Sequence, residues 1–86
     1  MIYPVFAIRD IKTSFFPPQV HQTREDAIRG FAMMVNNPEG VIGFSPKDFD
    51  MFEVASFDTE KGELVPISPI EFVVTGSALV GDMYEK

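Results

Sequence analysis

The chain has 86 residues, 45% of them hydrophobic, a formal net charge of −6 and no cysteine. That length allows a single domain over residues 1–86 with one modest core, and the absence of cysteine excludes disulfide bonds and thiolate metal sites. No signal peptide and no run of the ~20 apolar residues that a membrane span requires is present, so we predict a cytoplasmic protein without membrane contact.

The first predicted element is a strand over residues 3–9, where β-branched and aromatic residues dominate. Successive side chains alternate between the faces of a sheet, and both faces here receive apolar residues: Val5 and Ala7 on one, Phe6 and Ile8 on the other. A single helix covers only one face, so the other needs a cover, either from the loops at 10–22 and 41–50 or from a second copy. We therefore expect self-association into a homo-oligomer, with cover by the loops as the alternative.

The connection over residues 10–22 contains Phe15-Phe16-Pro17-Pro18. Each proline lacks an N–H and fixes φ near −65°, so this segment is expected to be stiff and extended. Since neighbouring side chains of an extended chain diverge, one ring should fill the end of the core and the other should lie at the surface near Arg9, Lys12 or Arg29. The alternative is that both rings only close the core.

The clearest helix signal covers about residues 23–36. Thr23 is suited to the N-cap position, and acidic residues occupy the first turn, where the helix dipole favours negative charge. An apolar stripe follows at helical spacing: Ile28, Phe31, Ala32 and Val35. Pro38 and the asparagine before it should end the helix.

Residues 41–50 are predicted to form a loop that Ile42 and Phe44 anchor in the core. Two strands near 50–57 and 63–67 should then form a hairpin, since the turn between them closes on a glycine.

The final stretch, residues 69–86, is expected either to begin as a strand at 70–75 or to be a partly ordered tail. The element order is therefore β-α-β-β, with a further C-terminal strand as an option. This order predicts an α+β fold with a small antiparallel sheet of three or four strands and one packed helix.

No catalytic motif is present in the sequence. His21 is the single histidine, and no Gly-x-Ser-x-Gly elbow supplies a nucleophile for it. One histidine without cysteine makes no zinc site, and the acidic residues between 48 and 63 lack the spacing of a calcium-binding loop. We therefore predict a protein that is not an enzyme, with no catalytic residues, no cofactor and no metal.

Binding is the class of function that remains, and the charged residues that would contribute to it are unevenly distributed along the chain. Residues 1–36 carry a balance of +1 and residues 37–86 a balance of −7, which argues against strong non-specific DNA binding. Cations interleaved with aromatic rings are nevertheless the arrangement that single-stranded nucleic acid requires. The candidate residues for binding nucleic acid or a protein partner are the four cations of the first half and the two rings between them: Arg9, Lys12, Phe15, Phe16, Arg24 and Arg29.

Several blocks of the sequence, taken together and in order, resemble the small nonstructural protein of gokushoviruses, single-stranded DNA phages of the Microviridae. The blocks are Ile8-Arg9-Asp10, Phe15 to Pro18, Ala27 to Phe31, Pro46 to Met51 and Gly62 to Pro66. The resemblance implies a phage accessory protein of the host bacterial cytoplasm. Like the C protein of related phages, it would act in the switch from double-stranded replication to single-strand synthesis and packaging.

The implied partners are a phage replication or procapsid protein, with single-stranded DNA as the alternative, because this family is often labelled DNA-binding. A purely structural homo-oligomer is a third alternative. No catalytic residues are attached to the family, and the acidity of this chain argues against the DNA-binding label.

Overall fold

The computed structural model describes residues 1–81, which form one sheet with helices on one side. The strands are β1 (Ile2–Asp10), β2 (Gln19–Val20), β3 (Phe49–Asp58) and β4 (Glu63–Thr75), and the helices are α1 (Arg24–Val35) and α2 (Val41–Phe44). Short 3-10 turns cover Pro46–Asp48 and Gly76–Leu79. The four strands lie in the order β2-β1-β3-β4, and each neighbouring pair is antiparallel. The α+β fold with one packed helix is therefore confirmed.

The hairpin of β3 and β4 is longer than predicted. The stretches expected at 63–67 and 70–75 belong to one strand that follows β3 along its whole length, from Glu63 opposite Asp58 to Thr75 opposite Asp50. The register shifts at two points between these ends, and at one of them residues 67–70 of β4 lie opposite a single residue of β3. The turn needs Gly62, whose φ of +66° lies in the left-handed region that favours glycine.

The additional strand, β2, comes from the connection over residues 10–22, for which no strand was predicted. Gln19 and Val20 pair with Phe6 and Val5 at the free edge of β1. The two prolines before them keep the chain extended, so it runs along that edge.

Helix α1 begins and ends as its sequence predicts. The Thr23 hydroxyl accepts a hydrogen bond from the Asp26 N–H at 3.0 Å. At the other end, the Asn36 amide donates to the carbonyl oxygens of Ala32 (2.8 Å) and Leu79 (3.0 Å), and its oxygen accepts from the Gly81 N–H (2.7 Å). Asn36 therefore joins the end of α1 to the segment after β4.

The prediction of a loop over 41–50 is wrong in two respects, and the first is that most of this stretch is helical. Ile42 is buried as expected, but Phe44 is 86% exposed and anchors nothing in the core. Since helical residues are spaced by about 100°, a residue two positions after Ile42 points away from the core.

The core lies between α1 and one face of the sheet. Its largest members are Phe6, Phe31, Phe49 and Met51, joined by Leu79 of the last 3-10 turn. The molecule measures 39 × 32 × 18 Å, and its thin dimension fits one helix layer and one sheet layer of about 10 Å each. No helix within residues 1–81 is long and apolar enough to cross a bilayer.

We expect Gly30→Ala to stabilise the protein. Gly30 lies inside α1, and a Cβ there would meet no atom within 4 Å. Alanine should therefore raise the free energy of unfolding by about 0.5–1 kcal/mol, measured by urea denaturation.

Gly43→Ala is the matched control, because its Cβ would collide with the Asn37 carbonyl group. That variant should be less stable than the original chain. A loss of stability in Gly30→Ala would contradict the open space beside α1.

Candidate functional site

One face of the sheet has no helix on it within the described chain. Ile42 of α2 and Leu79 of the last 3-10 turn share the core of α1, so these elements lie on the same side. We call the opposite side the open sheet face. Residues paired across the ladders share a face, and that rule places these large apolar side chains on it: Tyr3, Val20, Phe52, Phe57, Leu64 and Phe72.

An aromatic row crosses the open sheet face. Phe15 meets the edge of Phe52 with ring centroids 5.7 Å apart, and Phe52 meets Phe72 in the same way at 5.8 Å. Phe15 is 42% exposed and Phe72 56% exposed. The row is therefore an ordered apolar surface whose outer rings are exposed to solvent.

Arg9 lies among these rings and is already paired. Its guanidinium carbon is 4.8 Å from the centroid of the Phe52 ring and 6.0 Å from that of Phe15, within the range of a cation–π contact. One of its terminal nitrogens bonds the Asp50 carboxylate at 3.2 Å. The Nε atom is buried without an acceptor among residues 1–81. Arg9 thus holds the rings in place, and Asp50 neutralises its charge.

The two rings of the Phe-Pro-Pro segment lie on opposite faces of the sheet, as expected for an extended chain. Phe15 joins the open sheet face beside Arg9, whereas Phe16 packs at the edge of the core, 5.9 Å from Phe49. The expectation that one ring fills the core is wrong, because Phe16 remains 37% exposed. Its ring only borders the core, and the space beside it is open.

That space is a cleft of about 290 Å³ between α1 and the chain around β2, called here the helix–loop cleft. Its loop side consists of Phe16, Pro17 and His21, and its helix side includes Gly30 and Met34. Buried residues of β1 and β3 form its floor. Because Gly30 has no side chain, the cleft stays open in the middle of α1.

The structure separates Lys12 from the rings. Lys12 pairs with Asp48 at 3.5 Å. The Ser45 hydroxyl, 2.7 Å from the Asp48 carboxylate, and then Lys12 hold the pKa of Asp48 below its ordinary value. This pair belongs to the junction between the loop after β1 and the turn before β3, away from the aromatic row.

Arg24 has a structural partner on the helix side of the sheet. Its guanidinium bonds Glu53 at 2.7 Å and Glu71 at 2.9 Å, and these contacts, with Glu53 first, raise the pKa of Arg24 above its ordinary value. Glu53 and Glu71 lie directly opposite each other on β3 and β4, where like charges repel. Arg24 compensates that repulsion. Arg29 is exposed on α1.

The six predicted residues therefore do not form one site. Arg9 and Phe15 come together, Phe16 contributes to the cleft, and the other three cations lie elsewhere. Sequence reasoning missed Phe52 and Phe72, because their place beside Arg9 depends on strand register. No group of three metal-binding side chains converges within the part of the chain that the structure describes.

The family model of the Phage ORF5 protein matches residues 3–79. The chain belongs to the Phage ORF5 protein family. Searches of curated proteins and of solved structures gave no significant match. The Phage ORF5 match confirms the expectation of a bacteriophage protein, and it spans the open sheet face, the helix–loop cleft and the Arg24 ion pairs alike.

We expect Arg24→Ala to destabilise this Phage ORF5 protein, because it leaves Glu53 and Glu71 opposite each other without a cation. The loss should be about 1 kcal/mol of unfolding free energy at neutral pH and low salt, measured by urea denaturation. Glu71→Gln in the same chain should restore part of that loss.

Arg29→Ala is the matched control, since its side chain is exposed on the same helix. It should change the unfolding free energy by no more than ~0.5 kcal/mol. Equal effects of the two variants would contradict a structural role for Arg24.

Proposed function

We propose that this Phage ORF5 protein is a nonstructural accessory protein of the gokushovirus type that acts by binding rather than by catalysis. It acts in the host bacterial cytoplasm, during the switch from double-stranded DNA replication to single-strand synthesis and packaging. Its partner is a phage replication or procapsid protein. The family match supports a phage protein, and the ordered sequence blocks from Ile8 to Pro66 support the narrower assignment.

The helix–loop cleft is the observation that carries this proposal. It is apolar, partly enclosed and large enough for an apolar side chain of a partner, since a cavity of about 150 Å³ already holds a benzene ring and this one measures about 290 Å³. Gln19 and His21 add polar groups to its lining. Protein interfaces take most of their energy from a few such buried anchors.

The state of the cations favours a protein partner over nucleic acid. Arg9, Lys12 and Arg24 each lie within 4 Å of a carboxylate, at 3.2, 3.5 and 2.7 Å. A phosphate would have to displace those carboxylates, and the chain carries a net charge of −6. Nucleic acid binding depends on neutralising phosphates with free cations, so this surface suits an uncharged apolar contact better.

Gly30→Leu tests the proposal by placing a side chain in the cleft without removing any contact. Because leucine is a better helix former than glycine, the fold should remain intact. We expect tagged protein from phage-infected cells to capture a phage replication or procapsid protein, and Gly30→Leu to weaken that capture by at least about tenfold, which corresponds to ~1.4 kcal/mol.

Met33→Ala is the matched control, because Met33 is exposed on α1 and does not line the cleft. It should capture the same phage protein as the original chain. Capture of no phage protein, or equal capture by Gly30→Leu, would reject the proposal.

Weak binding of single-stranded DNA through the Phe-Pro-Pro segment is the second candidate function. The observation in its favour is the aromatic row with Arg9 beside Phe15 and Phe52, since bases stack on exposed rings while cations follow the phosphates. The pairing of Arg9 with Asp50 predicts that such binding is weak.

Fluorescence anisotropy with labelled oligothymidine at low salt measures this candidate. Phe72→Ala should remove one stacking ring and cost about 1–3 kcal/mol of affinity, whereas Phe44→Ala, on the helix side, should cost none. If the original chain shows no binding at low salt, the second candidate is wrong.

A further inference from the structure

We propose that a second copy of this chain covers the open sheet face, so that two sheets pack face to face in a two-fold dimer. This inference goes beyond the proposed function, because it concerns the side of the molecule opposite the helix–loop cleft. In such a dimer both clefts face outward and stay accessible to a phage partner.

The exposed apolar surface is the first argument. Leu64 is 58% exposed, Phe72 56%, Val20 46% and Phe15 42%, and the ladders place the three strand residues on the same face as the aromatic row. Tyr3, Phe52 and Phe57 lie among them and are half-buried. Large contiguous apolar patches are uncommon on monomers and mark interaction sites.

The distribution of charge is the second argument, and it favours a neutral apolar occupant such as a second copy. Of the residues that the ladders place on this face in the described chain, only Arg9 and Asp50 are charged, and they pair with each other. The face is therefore neutral on a chain of net charge −6.

Apart from Asp50, the acidic residues of the strands lie elsewhere: register places Asp10, Glu53, Asp58, Glu63 and Glu71 on the helix side. Two copies can consequently meet on this face without opposing their negative charge. A nucleic acid would need cations here, and a basic partner would need carboxylates. A second neutral apolar face needs neither.

The size of the face is the third argument. The face belongs to the broad side of the molecule, whose extents are 39 × 32 Å, and that side has room for the ~800 Å² per partner that a standard interface buries. Two sheets pack about 10 Å apart with interdigitated side chains, and a two-fold axis presents the same patch on both copies. The Arg9–Asp50 pair enters the interface already formed, so neither charge is left unpaired.

Sedimentation velocity at micromolar to ~100 μM concentration, a range in which specific interfaces assemble, tests the inference. The original chain should sediment as a species of twice 9.6 kDa. Phe72→Glu places a charge in the aromatic row of this face and should weaken dimerisation by at least about tenfold. Phe44→Glu, at a position 86% exposed on the helix side, is the matched control and should remain dimeric.

Circular dichroism checks that each variant is folded, and Phe72→Ser, which adds no charge, replaces Phe72→Glu if that chain does not fold. A monomer throughout the concentration range would overturn the inference, as would a dimer that Phe72 variants leave unchanged. If the original chain is a monomer that binds oligothymidine, and Phe72→Glu abolishes that binding, the face would be assigned to single-stranded DNA instead. Because Gly30→Leu and Phe72→Glu act on different surfaces, failure of the dimer and failure of the proposed function give different results.

Discussion

The packing of Phe31 against the sheet is the contact on which the rest of the structure depends. Its ring is fully buried and lies in one cluster with Phe6, Phe49 and Met51. This cluster fixes the side of the sheet that α1 covers, and Asn36 then draws the segment after β4 onto the same side. Within residues 1–81, α1 is the only long helix and the short α2 packs on the same side, so no helix covers the other face. The sheet therefore keeps one face without a helix, which is the open sheet face.

The ion pairs also serve the fold. Each cation paired in the first half of the chain serves the fold: Arg24 compensates two glutamates, Lys12 stabilises the Asp48 junction and Arg9 aligns the aromatic row. The surfaces left for binding are consequently apolar rather than charged. We therefore expect an accessory protein with these properties to recognise the shape and the apolar side chains of a partner, and its net negative charge disfavours strong non-specific binding of nucleic acid.

The two candidate surfaces lie on opposite sides of one thin molecule. The helix–loop cleft is small and partly enclosed, which suits a side chain of a partner, whereas the open sheet face is broad and neutral, which suits another sheet. The Phe-Pro-Pro segment links them, because Phe15 belongs to one surface and Phe16 to the other. A stiff segment therefore sets the position of one ring on each of the two surfaces.

The sequence by itself determined the local elements. The Thr23 cap, the apolar stripe of α1, the hairpin around Gly62 and the divergence of Phe15 from Phe16 follow from neighbours in the chain, so each is readable from composition and spacing. Only the tertiary structure decided which residues meet. Phe52 and Phe72 join Arg9 through strand register, and register depends on bulges and pairings between residues distant in sequence, which no local pattern encodes.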